Sequence, residues 1–182
     1  MRVSDPGVKV GLLMPNRTLT RSYLSSSVEN LVDSRVGPDI AHAPGMAPKE
    51  SSVRAIDLAD IHVLVVDDYE DTLEVFGAAL HRFGANVVKA RSARHALTIM
   101  KTVRVNVIVS DLTMPGEDGL WLLEQIRRLK SEHGRSIPAI AVTAHRERYA
   151  VGRLIEVGFE AFLTKPVDPI DLARTVASLI GR

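Results

Sequence analysis

Residues 62–68 read HVLVVDD, a valine-rich apolar run that ends in two aspartates. A run this short and this apolar predicts a strand that is buried on both faces. Directly after it, residues 70–83 carry apolar side chains three and four positions apart, which predicts a helix that ends at Gly84. Asp67 and Asp68 therefore lie where a predicted strand gives way to a helix, and this unit sets the pattern for the following chain.

Four more strand–helix units follow the first one. The predicted strands are residues 62–66, 86–89, 105–110, 138–143 and 159–164, and the predicted helices are residues 70–83, 93–102, 119–132, 147–157 and 169–180. Ser92, Asp118 and Asp168 each stand where a helix N-cap is expected. Because strands and helices alternate, right-handed crossovers give an α/β fold with a doubly wound parallel sheet.

The N-terminal third has a different composition. Residues 1–56 hold four Gly, five Pro and eight Ser, with no sustained apolar period. This composition is typical of a flexible tail, so we predict a tail over residues 1–60 and one folded domain over residues 61–182. Met46 lies fifteen residues before Ile61 and is an alternative start of the chain.

The overall composition excludes several classes of protein. The net charge is +1, so no basic excess points to nucleic acid, and no cysteine is present for disulfides or thiolate metal sites. The longest stretch without Asp, Glu, Lys or Arg is Ser136–His145, which is too short to cross a membrane. We therefore expect a cytoplasmic protein with no nucleic-acid partner and no membrane segment.

Polar side chains follow four of the five predicted strands. Asp67 and Asp68 follow the first strand, Asp111 the third, Thr143 the fourth and Lys165 the fifth. Each has an ordinary explanation as a turn residue, a helix cap or a strand residue. Together they lie at one edge of a parallel sheet, where ligands bind in such folds. Three gathered carboxylates repel one another unless a cation joins them, and oxygen ligands alone suit Mg²⁺.

Four segments give the chain a resemblance to a known family. They are VVDD at residues 65–68, VSDLTMPGEDG at 109–119, AVTA at 141–144 and FLTKP at 162–166. In order and spacing they resemble the receiver domain of two-component response regulators over about residues 61–182. The resemblance implies a flavodoxin-like (βα)5 domain with five parallel strands in the order 2-1-3-4-5.

The resemblance also implies roles for individual residues. It implies that Asp111 accepts a phosphoryl group, and that Asp67, Asp68, Asp111 and the backbone carbonyl of Thr113 hold Mg²⁺. It further implies that the Thr143 hydroxyl and the Lys165 ammonium contact the phosphoryl oxygens.

Four positions are candidates for tuning or switching, and the first is Thr143, which could swing toward the acyl phosphate. Phe162 lies where the family places an aromatic that fills space vacated by Thr143, although it is equally an ordinary strand aromatic. Thr113 and His145 lie two residues after Asp111 and Thr143, and the resemblance implies that they flank the path of an attacking water. A solvated loop histidine is the ordinary alternative for His145. The resemblance also implies that the peptide bond between Lys165 and Pro166 is cis.

We expect a signalling switch that is phosphorylated by a histidine kinase or a histidine phosphotransfer protein and catalyses only its own phosphorylation and dephosphorylation. No output domain is visible, so it would act by protein contact, as a stand-alone or a relay receiver, and as a monomer or a phosphorylation-dependent homodimer. Two other classes stay open: an aspartate-based phosphatase, although Thr113 replaces its second aspartate, and a receiver-shaped module that no longer accepts phosphate.

Overall fold

A computed structural model of the protein describes residues 10–12, 56–129 and 136–182. The strands are β1 (Val10–Leu12), β2 (His62–Val66), β3 (Asn86–Ala90), β4 (Val107–Asp111), β5 (Ala139–Thr143) and β6 (Ala161–Thr164). The helices are α1 (Glu70–Arg82), α2 (Ala93–Ile99), α3 (Gly119–Arg127), α4 (Val151–Val157) and α5 (Pro169–Leu179), and Arg146–Arg148 form one 3₁₀ turn. Among these described residues, no helix combines the length and apolar character that crossing a bilayer demands.

The sheet has the order β1-β6-β5-β4-β2-β3. Strands β2 to β6 pair in parallel, in the order β3-β2-β4-β5-β6. When these five strands are numbered from β2 onward, this is the predicted order 2-1-3-4-5, which is confirmed. Val66 of β2 is opposite Ser110 of β4, and Thr143 of β5 is opposite Thr164 of β6. This register brings Asp67 level with Asp111, and it brings Lys165 to the same edge of the sheet.

The sheet also has an edge strand that the sequence did not predict. Val10–Leu12 pair antiparallel with β6, with Val10 opposite Leu163 and Leu12 opposite Ala161. Three residues are too few to show the alternating pattern by which a strand is predicted from sequence. The predicted tail otherwise falls on residues 1–9 and 13–55, which lie outside the described residues.

The packed domain begins before the predicted boundary at Ile61. Leu58 is fully buried, and its backbone N–H donates to the carbonyl oxygen of Phe83 at 2.8 Å. The segment that starts at Ile56 thus closes the apolar layer at the end of α1. A single buried leucine has no periodic neighbours, so its burial leaves no signal in the sequence.

Apolar side chains fill both faces of the sheet, and every residue of β4 and β5 is buried. One face packs on α1 and α5 through Leu73, Phe76, Leu80, Leu172 and Val176. The other face packs on α2, α3 and α4 through Ala96, Leu122, Leu123, Ile126 and Leu154. Strands covered on both faces explain why this sequence shows continuous apolar runs rather than alternation.

Helix ends follow the expected capping chemistry. The side chains of Ser92, Asp118 and Asp168 accept backbone N–H groups at the starts of α2, α3 and α5. Gly84 and Gly158 follow α1 and α4 with φ of 93° and 101°, which a residue with a Cβ adopts only under strain. The predicted caps and the helix stop at Gly84 are confirmed.

Helix α4 begins later than predicted, at Val151 instead of Glu147. Residues 146–148 form the 3₁₀ turn, and Tyr149 and Ala150 then have extended backbone. Ala150 offers no side chain to cap the helix. Because of this extended backbone, the Tyr149 side chain lies near the end of β4, where its hydroxyl donates to the carbonyl oxygen of Leu112. Helix α3 was predicted to reach residue 132 and ends at Arg127, and residues 130–135 lie outside the described part.

Gly119 allows α3 to begin directly against the end of β4. A Cβ at this position would lie 2.2 Å from the carbonyl oxygen of Asp111 and 3.0 Å from Ser110 Oγ. Ser110 Oγ donates to that same carbonyl at 2.9 Å. The clash would be with backbone that β4 holds in the sheet, so it cannot be relieved by moving a side chain.

We predict that Gly119→Ala lowers the free energy of unfolding by at least about 2 kcal/mol, because either α3 or the end of β4 must shift. Gly152→Ala is the control, since a Cβ there meets nothing within 4 Å. It should be neutral or stabilising by up to about 1 kcal/mol. Urea denaturation of both variants measures the difference, and equal stabilities would contradict the close approach.

Candidate functional site

Three carboxylates lie together at the carboxyl ends of β2 and β4. The side chains of Asp67 and Asp111 are only 2% and 5% exposed. Asp68 joins them, and each of the three offers a carboxylate oxygen within 4.8 Å of the other two. The sequence predicted this gathering from strand ends alone, because the register of β2 and β4 makes it unavoidable.

Lys165 supplies a positive charge between two of these carboxylates. Its Nζ lies 2.6 Å from Asp67 Oδ2 and 2.6 Å from Asp111 Oδ2. Its backbone N–H donates to the carbonyl oxygen of Thr143 at 2.8 Å, which extends the pairing of β5 and β6. The bond between Lys165 and Pro166 is cis, as expected.

Burial and charge act in opposite directions on these groups. Burial raises the pKa of Asp67, and the hydrogen bond from Lys165 only partly offsets it. Burial alone would lower the pKa of Lys165, but its hydrogen bonds and ion pairs with Asp111 and Asp67 raise it. Lys165 is therefore a permanent cation, whereas keeping Asp67 ionised costs folding free energy.

The remaining carboxylate oxygens differ in their partners. Asp67 Oδ1 accepts the backbone N–H of Tyr69 at 2.9 Å, and Asp111 Oδ1 accepts that of Thr113 at 2.9 Å. Asp68 Oδ1 is buried and has no hydrogen-bond partner among the described residues. A buried anionic oxygen without a donor is what a hard cation with oxygen ligands requires, so this donor set fits Mg²⁺.

The side chain of Thr143 is hydrogen-bonded to the backbone of His145. Thr143 is buried, and its Oγ1 accepts the backbone N–H of His145 at 3.0 Å. The His145 side chain is 44% exposed, and its Nδ1 lies 3.5 Å from Glu147 Oε1. Thr143 therefore lies at the same edge of the sheet as the carboxylates, while the ring of His145 lies at the surface.

Phe162 is buried in the layer beneath α3 and α4. The guanidinium carbon of Arg146 lies 5.0 Å from the centroid of its ring, which is within the range of a cation–π contact. The packing of Phe162 thus involves the turn that follows β5, and its switching role stays a prediction.

Tyr149 is a polar neighbour of the site that sequence reasoning missed. Its hydroxyl donates to the carbonyl oxygen of Leu112 at 3.1 Å and lies 3.2 Å from Thr113 Oγ1. Residues 147–157 were predicted to be helical, and a helix would have turned Tyr149 elsewhere. Only the extended backbone before α4 brings the hydroxyl back to the loop after β4, so no sequence pattern could have found it.

The raised pKa of Asp67 makes a prediction about pH. In the unfolded state the pKa of the Asp67 carboxyl is near 3.8, and in the folded state it is higher. The folded state therefore binds a proton at Asp67 more tightly than the unfolded state does. Stability without Mg²⁺ should therefore fall as the pH rises from the unfolded pKa through the folded pKa. Asp67→Asn removes this ionisation and leaves Lys165 paired with Asp111.

We predict that Asp67→Asn, in a chelating buffer near neutral pH, raises the free energy of unfolding by about 1 kcal/mol and flattens the acidic-side slope. The exposed Asp71→Asn is the control and should change neither quantity by more than about 0.5 kcal/mol. Urea denaturation over a pH series gives both values. A lower stability of Asp67→Asn throughout the series would show that the charge of Asp67 stabilises the fold.

Comparisons with known proteins agree with this geometry. A family model described as the response regulator receiver domain matches residues 63–177. The chain is 39% identical over 119 residues to a protein of Leptolyngbya boryana named "Uncharacterized 14.6 kDa protein in sodA1 3'region", which covers 65% of this chain and 89% of that protein. It is 34% identical over 120 residues to the sensor histidine kinase GacS of Pseudomonas protegens, where the match covers 65% of this chain but only 13% of the kinase.

Solved structures give the same result. The chemotaxis response regulator CheY4 of Vibrio cholerae matches with a TM-score of 0.60 and 26% identity, over 65% of this chain and 98% of that one. The receiver domain of the sensor histidine kinase PA1611 of Pseudomonas aeruginosa, which has a magnesium ion coordinated in its active-site cleft, matches with a TM-score of 0.61 and 27% identity, over 68% of this chain and 100% of that one. With the family model spanning more than half of the sequence, the chain belongs to the response regulator receiver domain family of two-component signalling.

Proposed function

We propose that this chain is a phosphorylation-dependent signalling switch that accepts a phosphoryl group on Asp111 in a Mg²⁺-dependent reaction. The proposal rests on the burial, the hydrogen bonds and the charged neighbours of the Asp111 carboxylate. It is buried, one oxygen accepts the Thr113 N–H, the other lies against Lys165, and two further aspartates lie within 4.8 Å. A carboxylate is a weak nucleophile, so this degree of positioning is what the transfer requires.

In the proposed transfer, a carboxylate oxygen of Asp111 forms a bond to the phosphorus of a phosphohistidine. The bond from phosphorus to the imidazole nitrogen breaks, and its electron pair stays on the imidazole. The product is an acyl phosphate on Asp111. Lys165 is already within 2.6 Å of the carboxylate and would balance negative charge on the phosphoryl oxygens. The Thr143 hydroxyl would donate its proton to a phosphoryl oxygen, while its oxygen accepts the His145 N–H as it does here.

Asp67, Asp68 and Asp111, together with the backbone carbonyl of Thr113, are the groups that would hold Mg²⁺. When bound, the ion screens the approach of an anionic phosphoryl group to an anionic carboxylate. Asp68 Oδ1 supports this assignment, because it is buried and has no hydrogen-bond partner in the part of the chain that the structure describes. A magnesium ion in the cleft of the PA1611 receiver domain supports it by analogy.

The proposed donors are a histidine kinase or a histidine phosphotransfer protein in the cytoplasm. The similarity to a short part of the kinase GacS favours a donor of this class. The buried Phe162 beneath Arg146 is a candidate for the element that transmits the state of Thr143 to the surface. His145 is a candidate for tuning the lifetime of the acyl phosphate.

We predict that acetyl phosphate with Mg²⁺ adds one phosphoryl group to the protein, and that Asp111→Asn loses at least about 90% of the labelling, because an amide oxygen is a much poorer nucleophile than a carboxylate. Intact mass spectrometry measures the labelling. Asp171→Asn, in α5, is the control and should be labelled like the wild type.

Three results would contradict the proposal. Labelling of Asp111→Asn at the wild-type level would place the acceptor elsewhere, and absence of labelling in the wild type would favour a module that no longer accepts phosphate. Steady turnover of small phosphate esters would instead favour an aspartate-based phosphatase.

A further inference from the structure

We propose that Tyr149 is a positioning residue that orients the phosphoacceptor carboxylate through the peptide unit between Leu112 and Thr113. The inference rests on the proposed function, because it assigns Tyr149 a part in phosphorylation at Asp111. Tyr149 lies between the 3₁₀ turn and α4, outside the four segments that carry the resemblance.

A single peptide plane connects the two side chains. The Tyr149 hydroxyl donates to the Leu112 carbonyl oxygen at 3.1 Å. The N–H at the other end of that peptide unit belongs to Thr113 and donates to Asp111 Oδ1 at 2.9 Å. A donor on the carbonyl oxygen polarises the peptide and strengthens its N–H as a donor, so the two hydrogen bonds reinforce each other.

The number of hydroxyl protons available determines which group donates in the contact between Thr113 and Tyr149. The Tyr149 hydroxyl has one proton, which goes to the Leu112 carbonyl. Thr113 Oγ1 lies 3.2 Å from the same hydroxyl oxygen, so the Thr113 hydroxyl must be the donor in that contact. The chain of hydrogen bonds therefore runs from the Thr113 hydroxyl through Tyr149 and the peptide unit to Asp111.

This chain determines how the Asp111 carboxylate is oriented. One oxygen accepts the polarised N–H, and the other lies 2.6 Å from Lys165 Nζ. Two contacts on opposite oxygens hold the plane of the carboxylate. If the first contact weakens, the carboxylate can rotate while it keeps its ion pair, and a smaller fraction of the molecules has the nucleophile aligned.

The surroundings of Tyr149 support a positioning role. Its ring is half-buried and packs against the apolar layer of α2, α3 and α4, so the hydroxyl has little freedom. The backbone between the 3₁₀ turn and α4 is extended at this residue. The segment after β5 is thereby tied to the segment after β4 beside the phosphoacceptor.

The test uses Tyr149→Phe, which keeps the ring and removes the hydroxyl. We expect the saturating rate constant for phosphorylation by acetyl phosphate to fall about three- to tenfold, the usual scale for one hydrogen bond. The half-saturating acetyl phosphate concentration should stay within about twofold, because binding of the donor is not affected. The amide proton of Thr113 should move upfield in the NMR spectrum, since its hydrogen bond weakens.

A double-mutant cycle tests the direction of the chain. Thr113→Val removes the donor to Tyr149, and adding it to Tyr149→Phe should slow phosphorylation by less than about 1.5-fold more. Thr98→Val is the matched control, because the Thr98 hydroxyl donates to the Arg94 carbonyl in an exposed turn of α2. It should leave both the rate and the Thr113 amide unchanged.

An unchanged chemical shift of the Thr113 amide proton in Tyr149→Phe would overturn the proposed chain of hydrogen bonds. An unchanged rate of phosphorylation would overturn it as well. Fully multiplicative effects of Tyr149→Phe and Thr113→Val would also overturn it. If the wild type is not labelled at all, the proposed function fails, while the Thr113 amide shift still decides whether Tyr149 polarises the peptide unit.

Discussion

Lys165 bridges Asp67 and Asp111 at the point where three strands end, and much of the molecule is arranged around that contact. Buried carboxylates repel each other and pay a desolvation cost, so they persist only with a cation between them. Asp67 directly follows β2, Asp111 ends β4 and Lys165 directly follows β6. Along the chain, Lys165 is 98 residues from Asp67 and 54 from Asp111. The parallel register of the sheet, its apolar layers and its helix crossovers all serve to bring these distant groups together.

One lysine does not neutralise three carboxylates. Burial raises the pKa of Asp67 by more than Lys165 lowers it, and Asp68 Oδ1 is buried with no hydrogen-bond partner among the described residues. The site therefore carries an excess of negative charge that a divalent cation would compensate. Uncompensated charge of this kind is common at sites that bind a ligand, where it lowers the stability of the protein without the ligand.

Most of the framework could be predicted from the sequence because it follows from local chemistry. The valine-rich run before Asp67 predicts a buried strand, and the caps at Asp118 and Asp168 follow from a side-chain oxygen placed beside free N–H groups. The predicted gathering of Asp67, Asp68 and Asp111 needs only the rule that parallel strands end at one edge. The resemblance to a family then added roles that no spacing alone supplies.

Other features depend on contacts that leave no local pattern. Strand β1 pairs through its backbone over three residues, and Leu58 is buried by a segment without periodicity. The hydroxyl of Tyr149 reaches Leu112 only because the backbone before α4 is extended where a helix was predicted. Such contacts join segments far apart in sequence, so they emerge only when the fold is complete.

We propose that Asp68 is one of the ligands through which the acidic cluster binds a divalent cation. The most direct measurement is thermal unfolding with and without millimolar Mg²⁺, for the wild type, Asp68→Asn and the neighbouring Asp71→Asn. A cation at ten times its Kd stabilises the fold by about 1.4 kcal/mol, a rise in Tm of about 4–6 °C. We expect that rise in Tm for the wild type and Asp71→Asn, and no rise for Asp68→Asn. An equal rise in all three proteins, or none in the wild type, would contradict it.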